Sequence, residues 1–192
     1  KELVKLNIDN AKKNGAKVIE NAKIINIERN RKRWVINIKN LETIEAKIII
    51  NASGPWVNDV LSNYFGIKHK KKLRLVKGSH LITKKLYEQD IAFTLQNDDK
   101  RIIFVIPYKK EFTLIGTTEI EVMDPNNPKI NNDEIDYLIT SVNNFFVKKI
   151  SANDIIDTFS GIRPLIDDFK ESSRISRDYY FDLNTDSNLS PL

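Results

Sequence analysis

Apolar residues recur at helical spacing in a few stretches and alternate with polar ones almost everywhere else. From Glu2 to Asn14, Val4, Ile8 and Ala11 form one stripe that stops at Gly15, so the spacing predicts an amphipathic helix with a glycine cap. Short β-like runs follow at Lys17–Ile19, Lys23–Glu28 and Trp34–Ile38, the last two separated by the polar turn Arg29–Arg33, which predicts a small meander. Glu45 to Ile50 ends in Ile48-Ile49-Ile50, the composition of a strand covered on both faces. It runs into Asn51-Ala52-Ser53-Gly54-Pro55-Trp56, where Pro55 suits the first turn of a helix reaching about Tyr64 and closed by Gly66. Small residues between an apolar strand and a helix start permit close approach of a cofactor; an ordinary strand-to-helix turn reads the same way.

From Leu73 to Glu121 the pattern is strand after strand: Leu75–Lys77, Leu81–Thr83, Ile91–Leu95, Arg101–Ile106 and Phe112–Gly116, with turns at Asn97–Lys100 and Tyr108–Glu111. An antiparallel sheet is expected. Asn132 is placed to cap a helix with the apolar stripe Ile135, Leu138, Ile139, Val142 and Phe146, which would cover one face of that sheet. Ser151 opens a short capped turn, Ile155–Ile162 reads as a strand, and Ile175–Leu183 as another carrying Arg177. The tail from Asn184 to Leu192 is polar and expected to be weakly structured.

Ser160-Gly161-Ile162-Arg163-Pro164-Leu165 carries the most pointed chemistry. Pro164 fixes its own φ and pushes Arg163 into an extended conformation, while Gly161 allows a backbone or ligand to approach. A guanidinium so held can grip a carboxylate or phosphate with two parallel hydrogen bonds; an ion pair with Asp167 or Asp168 is the alternative. His80 lies between a Gly-Ser pair and an apolar run, where a satisfied structural histidine is also at home.

The 192 residues are 41% hydrophobic, enough for one good core or a domain and part of another. No apolar run approaches the roughly 20 residues of a membrane helix. With no cysteine and two histidines there is no disulfide framework, no thiolate nucleophile and no basis for a metal site. A formal charge of +5 would attract anionic partners, but a chain so rich in Lys, Ile and Asn acquires it from composition alone. Lys68–Arg74 concentrates that charge; it reads as a solvated loop or as a foot on an anionic membrane. Without interleaved aromatics to stack on bases, it is a poor nucleic-acid surface, so a basic nucleic-acid-binding module is the weaker alternative.

Ile48-Ile49-Ile50-Asn51-Ala52-Ser53-Gly54-Pro55-Trp56 resembles the V-N-A-x-G-x-W segment of the FAD-dependent D-amino-acid oxidase superfamily. Lys77-Gly78-Ser79-His80, Leu95–Arg101, Phe104-Val105-Ile106-Pro107, Ile115-Gly116-Thr117-Thr118-Glu119 and Ser160–Leu165 resemble, in order, the bacterial aerobic flavin-dependent glycerol-3-phosphate dehydrogenases. The resemblance implies an α+β fold. Part of an FAD-binding domain of the D-amino-acid oxidase type would occupy 1–66, a mostly antiparallel substrate-binding sheet covered by helices 67–183, and a polar tail 184–192. It further implies oxidation of glycerol 3-phosphate to dihydroxyacetone phosphate, with electrons passed to a quinone, in an enzyme peripheral on the cytoplasmic face of the cell membrane and homodimeric. His80 and Arg163 would be catalytic, with Arg163, Arg177 and Thr118 on the substrate; Ile24, Ala52, Ser53, Gly54 and Trp56 would lie along the FAD. Rival readings are a glycerol-3-phosphate oxidase, another amino- or hydroxy-acid oxidase of the superfamily, and a non-catalytic remnant. None of the six glycines forms a G-x-G-x-x-G turn, so this chain by itself is expected neither to retain FAD nor to turn over substrate.

Overall fold

The computed structural model describes residues 2–68, 72–167, 178–184 and 190–192. The fold is mixed: antiparallel sheets with a few helices. Contacts divide the chain into two compact units, one of residues 1–51, 63–66 and 181–192, the other of residues 52–62 and 67–180.

In the first unit, α1 (Glu2–Lys13) ends at Gly15, whose φ of +90° and N–H bonded to the Lys12 carbonyl close the helix as its sequence predicts. Three strands, β1 (Ile24–Arg29), β2 (Trp34–Ile38) and β3 (Ile44–Ala46), form the antiparallel meander. Asn30 shapes its turn by accepting from the backbone N–H groups of Lys32 and Arg33. Trp34 is the buried anchor, edge-on to Phe65 at 5.3 Å.

Three expectations need correction here. The run at Lys17–Ile19 forms no strand, and the one expected over Glu45–Ile50 shrinks to β3. Ile48 and Ile50 stay exposed, because an apolar run becomes a covered strand only where neighbouring strands pair with it, and among the described residues β3 pairs with β2 alone. The tail is anchored at its end: Trp34 Nε1 donates to the Pro191 carbonyl and Arg29 Nε to that of Ser190, both at 2.7 Å.

The second unit is organised around β4 (Leu73–Lys84), one continuous strand where the sequence suggests two. Along one edge it pairs through its full length with β9 (Ile155–Ile166). Along the other it pairs at Leu75–Lys77 with β8 (Ile120–Val122), which sequence reading missed, and at His80–Lys84 with β7 (Phe112–Gly116). Next to β7 come β6 (Ile102–Tyr108) and then β5 (Phe93–Gln96). Pro164 is tolerated because among the described residues β9 pairs on one side only, with β4, and needs no donor on its outer side.

Before β4, a 3-10 turn at Gly54–Trp56 leads into α2 (Val57–Phe65), which closes at Gly66 with φ of +64°. The turn packs against β9. The helix α3 (Asn132–Phe145) is capped by Asn131, one residue earlier than expected: Asn131 accepts from the Glu134 N–H and Glu134 accepts from the Asn131 N–H. Leu138 and Val142 of α3 pack with Leu81, Leu95, Ile103, Val105 and Ile115 on one face of the sheet. A second capping box, Ser151 with Asp154, precedes β9 as expected. No strand forms over 178–183, and the rest of the Ile175–Leu183 expectation, Arg177 included, lies outside the described residues.

Candidate active site

Register sets out the site on the sheet face away from α3. Directly opposed residues of antiparallel strands share a face, so Phe104, Gly116, His80 and Phe159 form one row across β6, β7, β4 and β9. Gly78 opposite Gly161, and Val76 opposite Arg163, form the next two rows on the same face.

The two glycines of β4 and β7 are spaces already filled. A Cβ on Gly116 would fall 2.3 Å from His80 Cδ2, and one on Gly78 would fall 2.5 Å from Thr117 Oγ1 and 2.7 Å from both Nη1 and Nη2 of Arg163. The imidazole therefore lies over Gly116, and the guanidinium over Gly78. His80 stacks on Phe159 with centroids 4.6 Å apart and planes 8° from parallel. Arg163 Nη2 donates to Thr117 Oγ1 at 3.2 Å. His80 and Arg163, 83 residues apart in the chain, are thus brought to one half-buried patch.

Burial first, and then the positive charge of Arg163, hold His80 below its ordinary value of 6.5. The imidazole is consequently neutral at neutral pH, with a lone pair to accept a proton. Among the described residues its Nδ1 is buried and has no hydrogen-bond partner.

Other candidates are placed differently. Thr118 is buried on the opposite face, where its hydroxyl donates to Glu134 Oε1 at 2.7 Å and accepts from the Ser79 N–H; Thr117 is the threonine beside Arg163. Ala52, Ser53, Gly54 and Trp56 lie in the second unit, in and beside the turn that packs on β9, while Ile24 lies on β1 of the first unit. Asp167, offered as an ion-pair partner for Arg163, lies 3.9 Å from Lys72 and from Arg74; Asp168 lies outside the described residues. Sequence reading missed Thr117, Phe159 and the roles of Gly78 and Gly116. The Gly116-Thr117-Thr118 run hints at them, but their partners are set by register.

The residues fit part of a flavin site. Gly54 adopts φ of +59° with nothing within 4 Å of where a Cβ would stand, leaving room beside the turn for a flat or extended ligand, next to the strand that carries Arg163. The pyrophosphate-binding glycine turn is not among this chain's residues.

A family model described as FAD dependent oxidoreductase (DAO) matches residues 1–187. D-erythritol 1-phosphate dehydrogenase of Brucella abortus (strain 2308) is 40% identical over 189 residues, covering 95% of this chain and 38% of that protein. The aerobic glycerol-3-phosphate dehydrogenase of Escherichia coli (strain K12) is 36% identical over 197 residues, covering 99% and 39%. Among solved structures, glycerol-3-phosphate dehydrogenase from Bacillus halodurans complexed with FAD aligns with a TM-score of 0.73 at 29% identity, over 85% of this chain and 34% of that one. The chain thus spans less than two fifths of the length of the curated relatives. With the family model matched from residue 1 to residue 187 and relatives of this identity along nearly its whole length, the chain belongs to the FAD-dependent oxidoreductases.

Proposed function

We propose that this chain serves in an FAD-dependent dehydrogenase of phosphorylated polyols, oxidising sn-glycerol 3-phosphate to dihydroxyacetone phosphate. The observation that carries it is the meeting of an orphaned, neutral imidazole and a stiffly held guanidinium on one face. In this reading residues 1–66 belong to the FAD domain, 67–183 form the substrate sheet and 184–192 lead back to the FAD domain. Arg163 grips the phosphate with its planar fork, with Arg177 as helper. His80 takes the proton of the secondary hydroxyl. Thr118 shapes the pocket from beneath, through its place beside Thr117. Ile24, Ala52, Ser53, Gly54 and Trp56 would hold the FAD by backbone and packing contacts. A bound flavin would supply the acceptor for the hydride of the carbinol carbon.

D-erythritol 1-phosphate is a second substrate reading, supported by the relative at 40% identity. Both substrates present a phosphate monoester and a secondary alcohol to the same two side chains. A quinone acceptor, a homodimer and a peripheral seat on an anionic membrane complete the proposal; among the described residues no helix is long and apolar enough to cross a membrane.

The test compares flavin content and dye-linked oxidation of both polyol phosphates by this chain and by a form extended to the relatives' length. A yellow, active extended form supports the reading. An extended form without flavin or activity overturns it, and peroxide production in air would make the enzyme an oxidase. In the active form Arg163→Lys should raise KM about tenfold or more, since an ammonium cannot reproduce the two-pronged grip. Unchanged kcat and KM would remove Arg163 from the substrate.

A further inference from the structure

Beneath the candidate site, on the α3 face, lies a buried carboxylate that the proposed chemistry does not use. Glu134 is 2% exposed, and each of its oxygens has two donors. Oε1 accepts from Ser79 Oγ at 2.8 Å and Thr118 Oγ1 at 2.7 Å; Oε2 accepts from Lys77 Nζ at 2.7 Å and the Asn131 N–H at 2.9 Å. Lys77 Nζ also donates to the Lys129 carbonyl. Since the single proton of Ser79 Oγ goes to Glu134, the 2.8 Å contact between Ser79 and Ser160 has Ser160 as donor.

These partners stand at a gap in the sheet. The ladder between β4 and β8 ends at Lys77 and the one between β4 and β7 begins at His80, so among the described residues Gly78 and Ser79 have no strand partner on that edge. The Ser79 N–H donates to Thr118 Oγ1, and the Thr118 N–H to the Ser79 carbonyl. Most residues of the site face, though not Phe104, Gly116 or Arg163, adjoin in the chain a residue tied to this network. Lys77 and Ser79 flank Gly78, Ser79 precedes His80, Thr118 follows Thr117, and Ser160 separates Phe159 from Gly161, two residues before Arg163.

We infer that Glu134 is a positioning residue: it holds Thr118, whose bonds to the Ser79 backbone stand in for the missing ladder, and with Ser79 and Lys77 it sets β4, β9 and the Thr117-Thr118 link so that His80, Thr117 and Arg163 meet on the opposite face. Capping α3 requires only its bond to the Asn131 N–H. Nor does stability account for the rest, because a buried ion pair is commonly replaceable by apolar residues without loss. Desolvation pushes the Glu134 carboxyl up, but donors from Lys77, Thr118, Asn131 and Ser79 outweigh it and hold the group below its ordinary value. It stays ionised and acts as acceptor alone, which fixes the direction of every hydroxyl around it.

The inference rests on the proposed function, and two readouts separate their failures. In the FAD-loaded enzyme Glu134→Gln should lower kcat/KM for the polyol phosphate about a hundredfold, the scale of an ångström's misplacement. Lys77→Met combined with Glu134→Gln removes both charges and should recover thermal stability while kcat/KM stays low. The second readout needs no turnover: the NMR titration of the His80 imidazole, identified by its loss in His80→Gln, should move toward 6.5 in Glu134→Gln as the ring leaves its buried place beside Arg163. If the parent oxidises neither polyol phosphate, the functional reading fails and the titration alone decides the role of Glu134. An unmoved His80 titration, or activity that returns with stability in the double variant, overturns the inference.

Discussion

His80→Gln in the FAD-loaded enzyme is expected to lower kcat by about 10²–10⁴-fold, the usual contribution of a positioned general base, with little change in KM. Glutamine keeps the volume and some hydrogen bonding but cannot take up the hydroxyl proton. The pH profile gives the same role a second test. The base works only unprotonated, and burial together with Arg163 lowers the imidazole below 6.5, so the parent's kcat/KM should fall on acidification with a midpoint under that value. His80→Gln should erase this acid limb. Arg163→Met, which removes the neighbouring positive charge, should move it to higher pH. Steady-state rates from pH 5 to 8 and rapid-mixing measurement of flavin reduction are the measurements. An acid limb that survives in His80→Gln assigns the base elsewhere.

Gly116→Ala should be nearly as damaging, although it adds one methyl group. The new Cβ would stand 2.3 Å from His80 Cδ2, 2.7 Å from Cγ and 3.0 Å from Nε2. The ring cannot retreat without breaking its stacking on Phe159. Overpacking of this kind costs about 1–3 kcal/mol, and relieving it turns the imidazole out of place. We expect a lower Tm and a loss of kcat approaching that of His80→Gln. Gly161→Ala is the control on the same face: its Cβ would meet nothing within 4 Å, and its φ lies outside the left-handed region, so folding should be undisturbed. Equal effects on Tm at the two positions would refute a steric role for Gly116.

Much of this architecture is legible along the chain. The helix ends at Gly15 and Gly66, the meander around Asn30, the Phe112–Gly116 strand and the stripe of Leu138 and Val142 each follow from a local rule of capping, turn chemistry or periodicity. The flavin family was legible too, through motifs that keep their order from Ile48 to Leu165. Local rules misjudged β3, β8 and the tail. An apolar triplet does not reveal whether anything pairs with it, a three-residue strand carries almost no periodic signal, and the docking of Pro191 on Trp34 depends on a partner 157 residues away.

The sequence by itself determined that Arg163 would be extended and that His80 would enter an apolar strand, because the neighbours of each constrain its backbone. Only the tertiary structure decided what each side chain meets. A shift of one residue between β4 and β9 would send Arg163 to the opposite face from His80, and a shift between β4 and β7 would move Gly116 from beneath the imidazole. The two threonines lie in the link between β7 and β8, where the bonds between Thr118 and Ser79 and from Thr118 to Glu134 hold one on the α3 side and leave the other beside Arg163, contacts that no local rule of the sequence reveals.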